Sequence, residues 1–208
     1  MGCLVKKSVS SVSFMCEFNM YYLKRLLLFS ILFFVCQSCG IVEVSGYYND
    51  YDKLTEAQKA VVHDFQGFDN AKLGCVYKIN PEQLKAELAI QPKSLVYLFS
   101  SCGCGECIPL SVYEQYANDN GYNIIFVLRD YYKLGNSLEQ DIAHPLFVID
   151  NDFYHENRRF IYERYFLNDL LGNPTKMKYK DMPEELQMAS LFFYEKGNLV
   201  KTLQKLPD

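Results

Sequence analysis

The sequence has no tryptophan and only three histidines in 208 residues. So few histidines leave little room for chemistry built on imidazole. His63 and His155 stand in polar surroundings and read as solvated, and His144, just before Pro145, reads as a loop residue. No Ser/His/Asp order, phosphate loop or carboxylate pair rises above chance spacing. Long apolar runs are missing too. LLLFSILFFV at 26–35 is ten residues long and apolar apart from Ser30. Ten helical residues reach about 15 Å at ~1.5 Å each, against a hydrocarbon core ~30 Å thick. That is too short to cross a membrane comfortably. Nor is there an excess of positive charge: 21 Lys and Arg face 25 Asp and Glu, for a net charge of −4. Such a chain gives no electrostatic support to nucleic acid binding, which needs basic patches. No internal repeat and no low-complexity tract is present.

What is present supports a core. Half of the residues are hydrophobic, 22% are charged, and there are 17 Tyr and 15 Phe. That suits one globular domain with extensions. The eight cysteines are therefore not required as a disulfide framework, as they would be in a very small secreted domain.

The first 38 residues read as a targeting segment. Lys24 and Arg25 precede the apolar run, and Cys36-Gln37-Ser38-Cys39-Gly40 follows it. A basic start, a short apolar stretch and a small residue before a cysteine look like a bacterial lipoprotein signal. Cys39 is the expected lipidation site, because Ser38 is small while Phe34 and Val35, before Cys36, are bulky. A start at Met20 would give a compact signal and leave Cys3 and Cys16 outside it. A plain cleaved signal or a short anchor is the alternative. Residues 1–38 carry Lys6, Lys7, Lys24 and Arg25 against Glu17, a net of +3, so the −4 of the whole becomes −7 for the rest. Membrane attachment would then come from the lipid and not from charge.

Residues 39–74 read as a tether and an N-terminal helical extension, the tether being 40–54. Thr55 is placed to cap a short helix through Val62, with Glu56 favourable in its first turn. From 75 to 208 the pattern is that of a domain. CVYKI, 75–79, is a short strand. Asn80-Pro81 opens a helix with Leu84, Leu88 and Ile90 on or near one face, and Gln91-Pro92 stops it. SLVYLF, 94–99, is a continuous apolar run, expected of a strand buried on both faces. Beyond Cys107, Ile108, Val112 and Tyr116 recur every four residues as one helix face, and Gly121 ends that helix. NIIFVL, 123–128, and PLFVI, 145–149, are two more strands. FIYERYFLNDLL, 160–171, is a helix stopped at Gly172-Asn173-Pro174. Its aromatic stripe of Tyr162, Tyr165 and Phe166 reads as core or as a cover. SLFFYEKGNLVKTL closes the chain as a hairpin about Lys196-Gly197-Asn198. The alternation predicts an α/β fold: a mixed sheet flanked by helices, with a helical insert before the C-terminal hairpin.

Chemistry and pattern coincide at one place. LVYLFSSCGCGECIP, 95–109, runs an apolar strand straight into Cys102, Cys104 and Cys107. Cys104 and Cys107 form a C-x-x-C pair between a strand and a helix, the layout of a dithiol redox site. Thiol–disulfide exchange needs a thiolate nucleophile and a second thiol that resolves the mixed disulfide. Cys104, at the expected helix N-terminus, is the nucleophile; Cys107, one turn inside and more buried, is the resolver. Glu106 between them either disfavours the thiolate, giving a reductant or a mild isomerase-like poise, or points to solvent. Cys102 is an accessory thiol, or a small residue at the strand end. It also opens another reading, a C-x-C-x-x-C soft-metal site for zinc or copper made by Cys102, Cys104 and Cys107, with His144 or His155 as a fourth ligand. Cys75 reads as inert core.

Strand, C-x-x-C, helix and closing hairpin together resemble the thioredoxin-like superfamily over residues 75–205. Phe99 stands where the family has a strand-end aromatic, and Gly105 fills the first place between the cysteines. The lipoprotein signal and the extra strand HPLFVID look like the periplasmic TlpA/ResA-like thiol–disulfide oxidoreductases. The chain departs from the pattern at four places. Gly103 replaces the tryptophan before the pair, Leu98 the buried acid, and Pro109 comes two rather than five residues after Cys107. Ala189 stands at the cis-proline position of the substrate loop, and a cis bond there would cost ~2.5–4 kcal/mol, so a trans bond is expected. The resemblance implies a lipid-anchored oxidoreductase of the cell envelope, facing the periplasm or exterior, with no cofactor. Its partners would be exported proteins bearing thiols or disulfides and a membrane thiol electron donor. The alternative is a non-catalytic binding lipoprotein on the same fold.

Overall fold

Alternation along the central apolar run sets the architecture. Leu95 and Phe99 pack into one cluster while Val96 and Leu98 pack into another, so both faces of this strand are covered. The computed structural model describes residues 46–101 and 107–207. Seven strands, β1 (Val62–Asp64), β2 (Val76–Ile79), β3 (Lys93–Phe99), β4 (Asn123–Leu128), β5 (Leu146–Ile149), β6 (Leu191–Glu195) and β7 (Asn198–Leu203), form one sheet. Their order is β1-β2-β5-β4-β3-β6-β7. The first five are parallel, with Val76 opposite Leu146 and Val96 opposite Ile125; β6 and β7 add antiparallel, with Phe193 opposite Leu95. The expected α/β class holds: a thioredoxin-like mixed sheet with helices on both faces. Among the described residues no helix is long and apolar enough to cross a membrane.

Helices follow their local signals. Thr55 caps α1 (Glu56–Lys59) in a capping box with Gln58, and Asn80 does the same with Gln83 for α2 (Pro81–Ile90). Each box satisfies two orphan backbone donors reciprocally. The helices α3 (Leu110–Asp119) and α5 (Arg159–Leu170) are separated by the short α4 (Leu134–Leu138), and α6 (Glu184–Gln187) precedes the hairpin. Gly121 and Gly172 take positive φ just past α3 and α5. The Tyr122 N–H donates to the Ala117 carbonyl and that of Asn173 to Asn168, the bond pattern of a Schellman stop. Side chains of α2 and α5 join the β3 residues Val96 and Leu98; those of α3 join Leu95 and Phe99. The hairpin turns on Lys196 and Gly197, both at positive φ, as a two-residue I′ turn requires.

Four local expectations are corrected. The first helix ends at Lys59, and Val62 instead opens β1 against Val76, where a β-branched side chain fits better than in a helix. Ile90 is exposed, because two residues beyond Leu88 is about 200° round a helix of ~3.6 residues per turn. The third helix buries Leu110, Tyr113 and Ala117, while Ile108 and Val112 are exposed. Tyr113 stacks on Tyr97 with ring centroids 4.1 Å apart, which selects that face over the competing four-residue stripe. The described part of the stretch read as a tether is built into the domain. Leu54 and Asp50 are buried, the Tyr131 N–H donates to the Asn49 carbonyl, and Asn49 Nδ2 donates to Asn151 Oδ1 at 2.9 Å.

Candidate functional site

Parallel strands bring their carboxyl ends to one edge, where open α/β sheets place ligands. At that edge β3 runs out through Ser100 and Ser101 toward the cysteines, and β4 runs out through Arg129 and Asp130. Ser101 and Ser137, both buried, share a hydroxyl hydrogen bond of 2.6 Å, which ties the exit of β3 to α4. Cys39, Cys102, Cys104 and Glu106 lie outside the described residues. Cys107 is described. It is exposed and disulfide-bonded. Cys75, the other described cysteine, keeps a free thiol, so the partner sulfur of Cys107 belongs to a residue outside the described ones.

The position of Cys107 corrects the expectation of a resolver one turn inside the helix. The third helix begins at Leu110, and Pro109 is its N-cap. Proline disfavours helical backbone in the residue before it and carries no N–H, so Ile108 and Cys107 stay outside. Pro109 offers no side-chain cap. Gln140 supplies one from a distance, its Oε1 accepting the Leu110 N–H at 2.7 Å.

Ala189, the candidate substrate-loop position, is buried in the cluster with Leu98. Ser190 beside it is fixed from both sides. Its carbonyl accepts the Leu98 N–H at 2.8 Å, and its own N–H donates to Leu203. This loop therefore sits against the end of β3. His144 is held by Glu114, which also accepts the Ala143 N–H. His155 ends a short turn at positive φ. Among the described residues no three His, Cys, Asp or Glu side chains are placed to hold a metal ion. Cys107, as a disulfide, offers no thiolate here.

A second group of side chains gathers at the same edge. Arg129 pairs with Glu163 and donates from Nη2 to the Leu98 carbonyl at 3.2 Å. Arg159 pairs with the buried Asp130 at 2.8 Å and reaches Ser100 Oγ at 3.4 Å. The Tyr162 hydroxyl donates to the Arg129 carbonyl, pinning α5 over the end of β4. Of these, Ser100, Arg129, Arg159 and Glu163 line a cavity of about 600 Å³. Burial, and then the nearby Arg159 charge, brings the Arg129 guanidinium down to about 10. Burial lifts the Asp130 carboxyl above the usual range even though Arg159 bonds to it.

These residues carry no local motif, and one signal in the sequence marks them. Arg159 and Glu163 fall on the same four-residue stripe as Tyr162, Phe166, Leu167 and Leu170, all buried. Charged side chains on the core-facing stripe of a helix are costly unless paired, and so mark an ion pair or a site. Comparison of the chain with protein-family models, with curated proteins and with solved structures returns no match.

Proposed function

We propose that the chain is a lipid-anchored thiol–disulfide oxidoreductase of the cell envelope, facing the periplasm or exterior and acting through Cys104 and Cys107. The observation that carries this reading is the oxidised state of Cys107 in an exposed position just after the central strand. A structural disulfide in a chain of this core size has little to add, whereas an exposed one is open to attack by a thiol. In the reductive direction, the Cys104 thiolate attacks a substrate disulfide. One substrate sulfur leaves as a thiolate and a mixed disulfide forms. Cys107 then attacks Cys104, the second substrate sulfur leaves, and the Cys104–Cys107 disulfide closes. Two electrons pass to the substrate, and a membrane thiol donor returns them. The helix that follows starts three residues after Cys107, so Cys107 is not in its first turn, where the dipole acts most strongly. That adds to Glu106 in favouring a reductant or isomerase-like poise over a strong oxidant.

Ala189 supports the second reading, a non-catalytic binding lipoprotein, because it removes the docking proline. Insulin reduction driven by dithiothreitol separates the two, together with trapping of a mixed disulfide by Cys107→Ser. Turnover and a trapped partner are expected. No turnover, no trapped partner and stoichiometric zinc or copper would move the assignment to the binding protein.

A further inference from the structure

The cavity at the ends of β3 and β4 leaves charge unanswered. Three guanidinium groups line it, those of Arg129, Arg159 and Arg164. Glu163 answers the first and Asp130 the second. Arg164 has no carboxylate partner among the described residues. Its Nε is buried without a hydrogen-bond partner, and so is the Nε of Arg159. Buried donors of a charged group are normally satisfied, because leaving them unpaired is costly. Among the described residues the Arg164 guanidinium meets the Tyr165 ring, 5.3 Å away, which accepts no conventional bond.

Phe160, Leu167 and Tyr179 give the cavity an apolar side, and Ser100, Glu163 and Gln187 complete its described lining. Phe160 is 60% exposed, an unusual place for phenylalanine, and the Tyr47 ring stands 6.4 Å from it. The mouth is thus aromatic and the interior cationic. A cavity of about 600 Å³ is of small-molecule size.

We propose that this cavity binds a monocarboxylate carried on an aromatic or apolar body. Three guanidinium charges less two carboxylates leave one positive charge, which matches one carboxylate. A phosphate ester near two negative charges would meet Glu163 with one charge unanswered. The two terminal Nη groups of the planar Arg164 fork, which are not among the buried unpartnered atoms, suit the two oxygens of a carboxylate. Phe160 and Tyr179 take the body. Among the described lining residues there is no cysteine, and the proposal uses none of the thiols.

Titration calorimetry of the full chain tests this with phenylpropionate, its amide phenylpropionamide, and inorganic phosphate. Phenylpropionate is expected to bind saturably at one site. The amide, identical in shape but uncharged, binds at least about tenfold more weakly, as expected for the loss of a charge-assisted pair. Arg164→Met weakens phenylpropionate to the same extent, and Arg164→Lys, which keeps the charge without the fork, recovers part of the loss. Phe160→Ser, on the exposed rim, weakens phenylpropionate while the fold is unaffected, and so serves where Arg164→Met fails to fold. Cys104→Ser/Cys107→Ser leaves binding unchanged, so the site survives a failure of the redox assignment. No binding of phenylpropionate, equal binding of acid and amide, tighter binding of phosphate, or wild-type affinity in Arg164→Met would each overturn the proposal.

Discussion

Two regions follow from neighbouring strand ends and are built by different rules. After β3 comes a local motif: three cysteines within six residues, an exposed Cys107, and a helix that waits for Pro109. After β4 comes an assembly: Arg129 and Asp130 meet Arg159 and Glu163 from a helix some thirty residues on. The first carries its chemistry in residue type and spacing. The second has none until the sheet and α5 pack. The difference teaches that a cysteine motif can be read from residue type and spacing, whereas a buried ion-pair site exists only through its fold.

The largest expected effect breaks the two regions apart. Cys107→Ser is expected to abolish insulin reduction, because it removes the thiol assigned to resolve the mixed disulfide. Phenylpropionate affinity should stay at the wild-type value. Loss of both together would show that the regions are one site. Next comes the assembly itself. Glu163→Leu leaves the Arg129 guanidinium half-buried and without its carboxylate. Removing one member of such a pair costs about 3 kcal/mol. Urea denaturation should show that loss in Glu163→Leu and recovery of most of it in Arg129→Met/Glu163→Leu. A double variant no more stable than the single one would mean that the pair is not what holds α5 to β4.

This contrast also explains what the sequence made legible. The strands at 94–99 and 123–128, the Asn80-Pro81 helix start, the Gly121 and Gly172 stops and the closing hairpin all came from residues near one another in the chain. So did the C-x-x-C pair. Errors arose where a local pattern met a non-local competitor. Ile108 and Val112 fit a helical stripe, yet Tyr113 won the inward face by stacking on Tyr97. Residues 46–54 looked like a tether, because their partners Tyr131, Asn151 and Asn157 are distant in sequence. The arginine cavity was illegible for the same reason, although the charges on the buried stripe of α5 pointed to it.

Alkali should act on the fold as a whole, and more gradually. Burial raises the hydroxyl pKa of Tyr97, Tyr131, Tyr162 and Tyr194, and burial plus a bond to Asp169 raises that of Tyr154. A raised pKa in the folded state gives stability that is complete below the unfolded tyrosine value of about 10 and is lost as pH climbs above it. Arg129 works the other way. Its lowered value means that the fold disfavours its charge, so pH above about 10 relieves a penalty. Five tyrosines against one arginine decide the sign: stability falls above about pH 10. Exposed tyrosines such as Tyr48 ionise first, and the last part of the tyrosinate absorbance should rise together with the loss of circular dichroism. Ionisation of all the tyrosines while the fold persists would mean that these hydroxyls are not buried.

The smallest effects compare a local cap with a remote one. α2 and α3 are both ten residues long and lie on opposite faces of the sheet. The first is capped by Asn80 from its own end, the second by Gln140 from thirty residues away. Asn80→Ala should lower stability by about 1 kcal/mol, the ordinary value of an N-cap. Gln140→Ala should cost a similar amount, about 1 kcal/mol, because it leaves the Leu110 N–H unpaired beside a proline that offers nothing. The two differ in where the loss appears. The Asn80 cap forms within a peptide spanning 79–91 and should change its helicity there. Gln140 acts only in the folded chain, where its loss frees the start of α3 and, with it, the Cys107 segment. Hydrogen exchange of the Leu110 and Ser111 amides should therefore speed up in Gln140→Ala while those of α2 stay as they were. Unchanged exchange at Leu110 would show that Pro109 alone fixes where that helix begins.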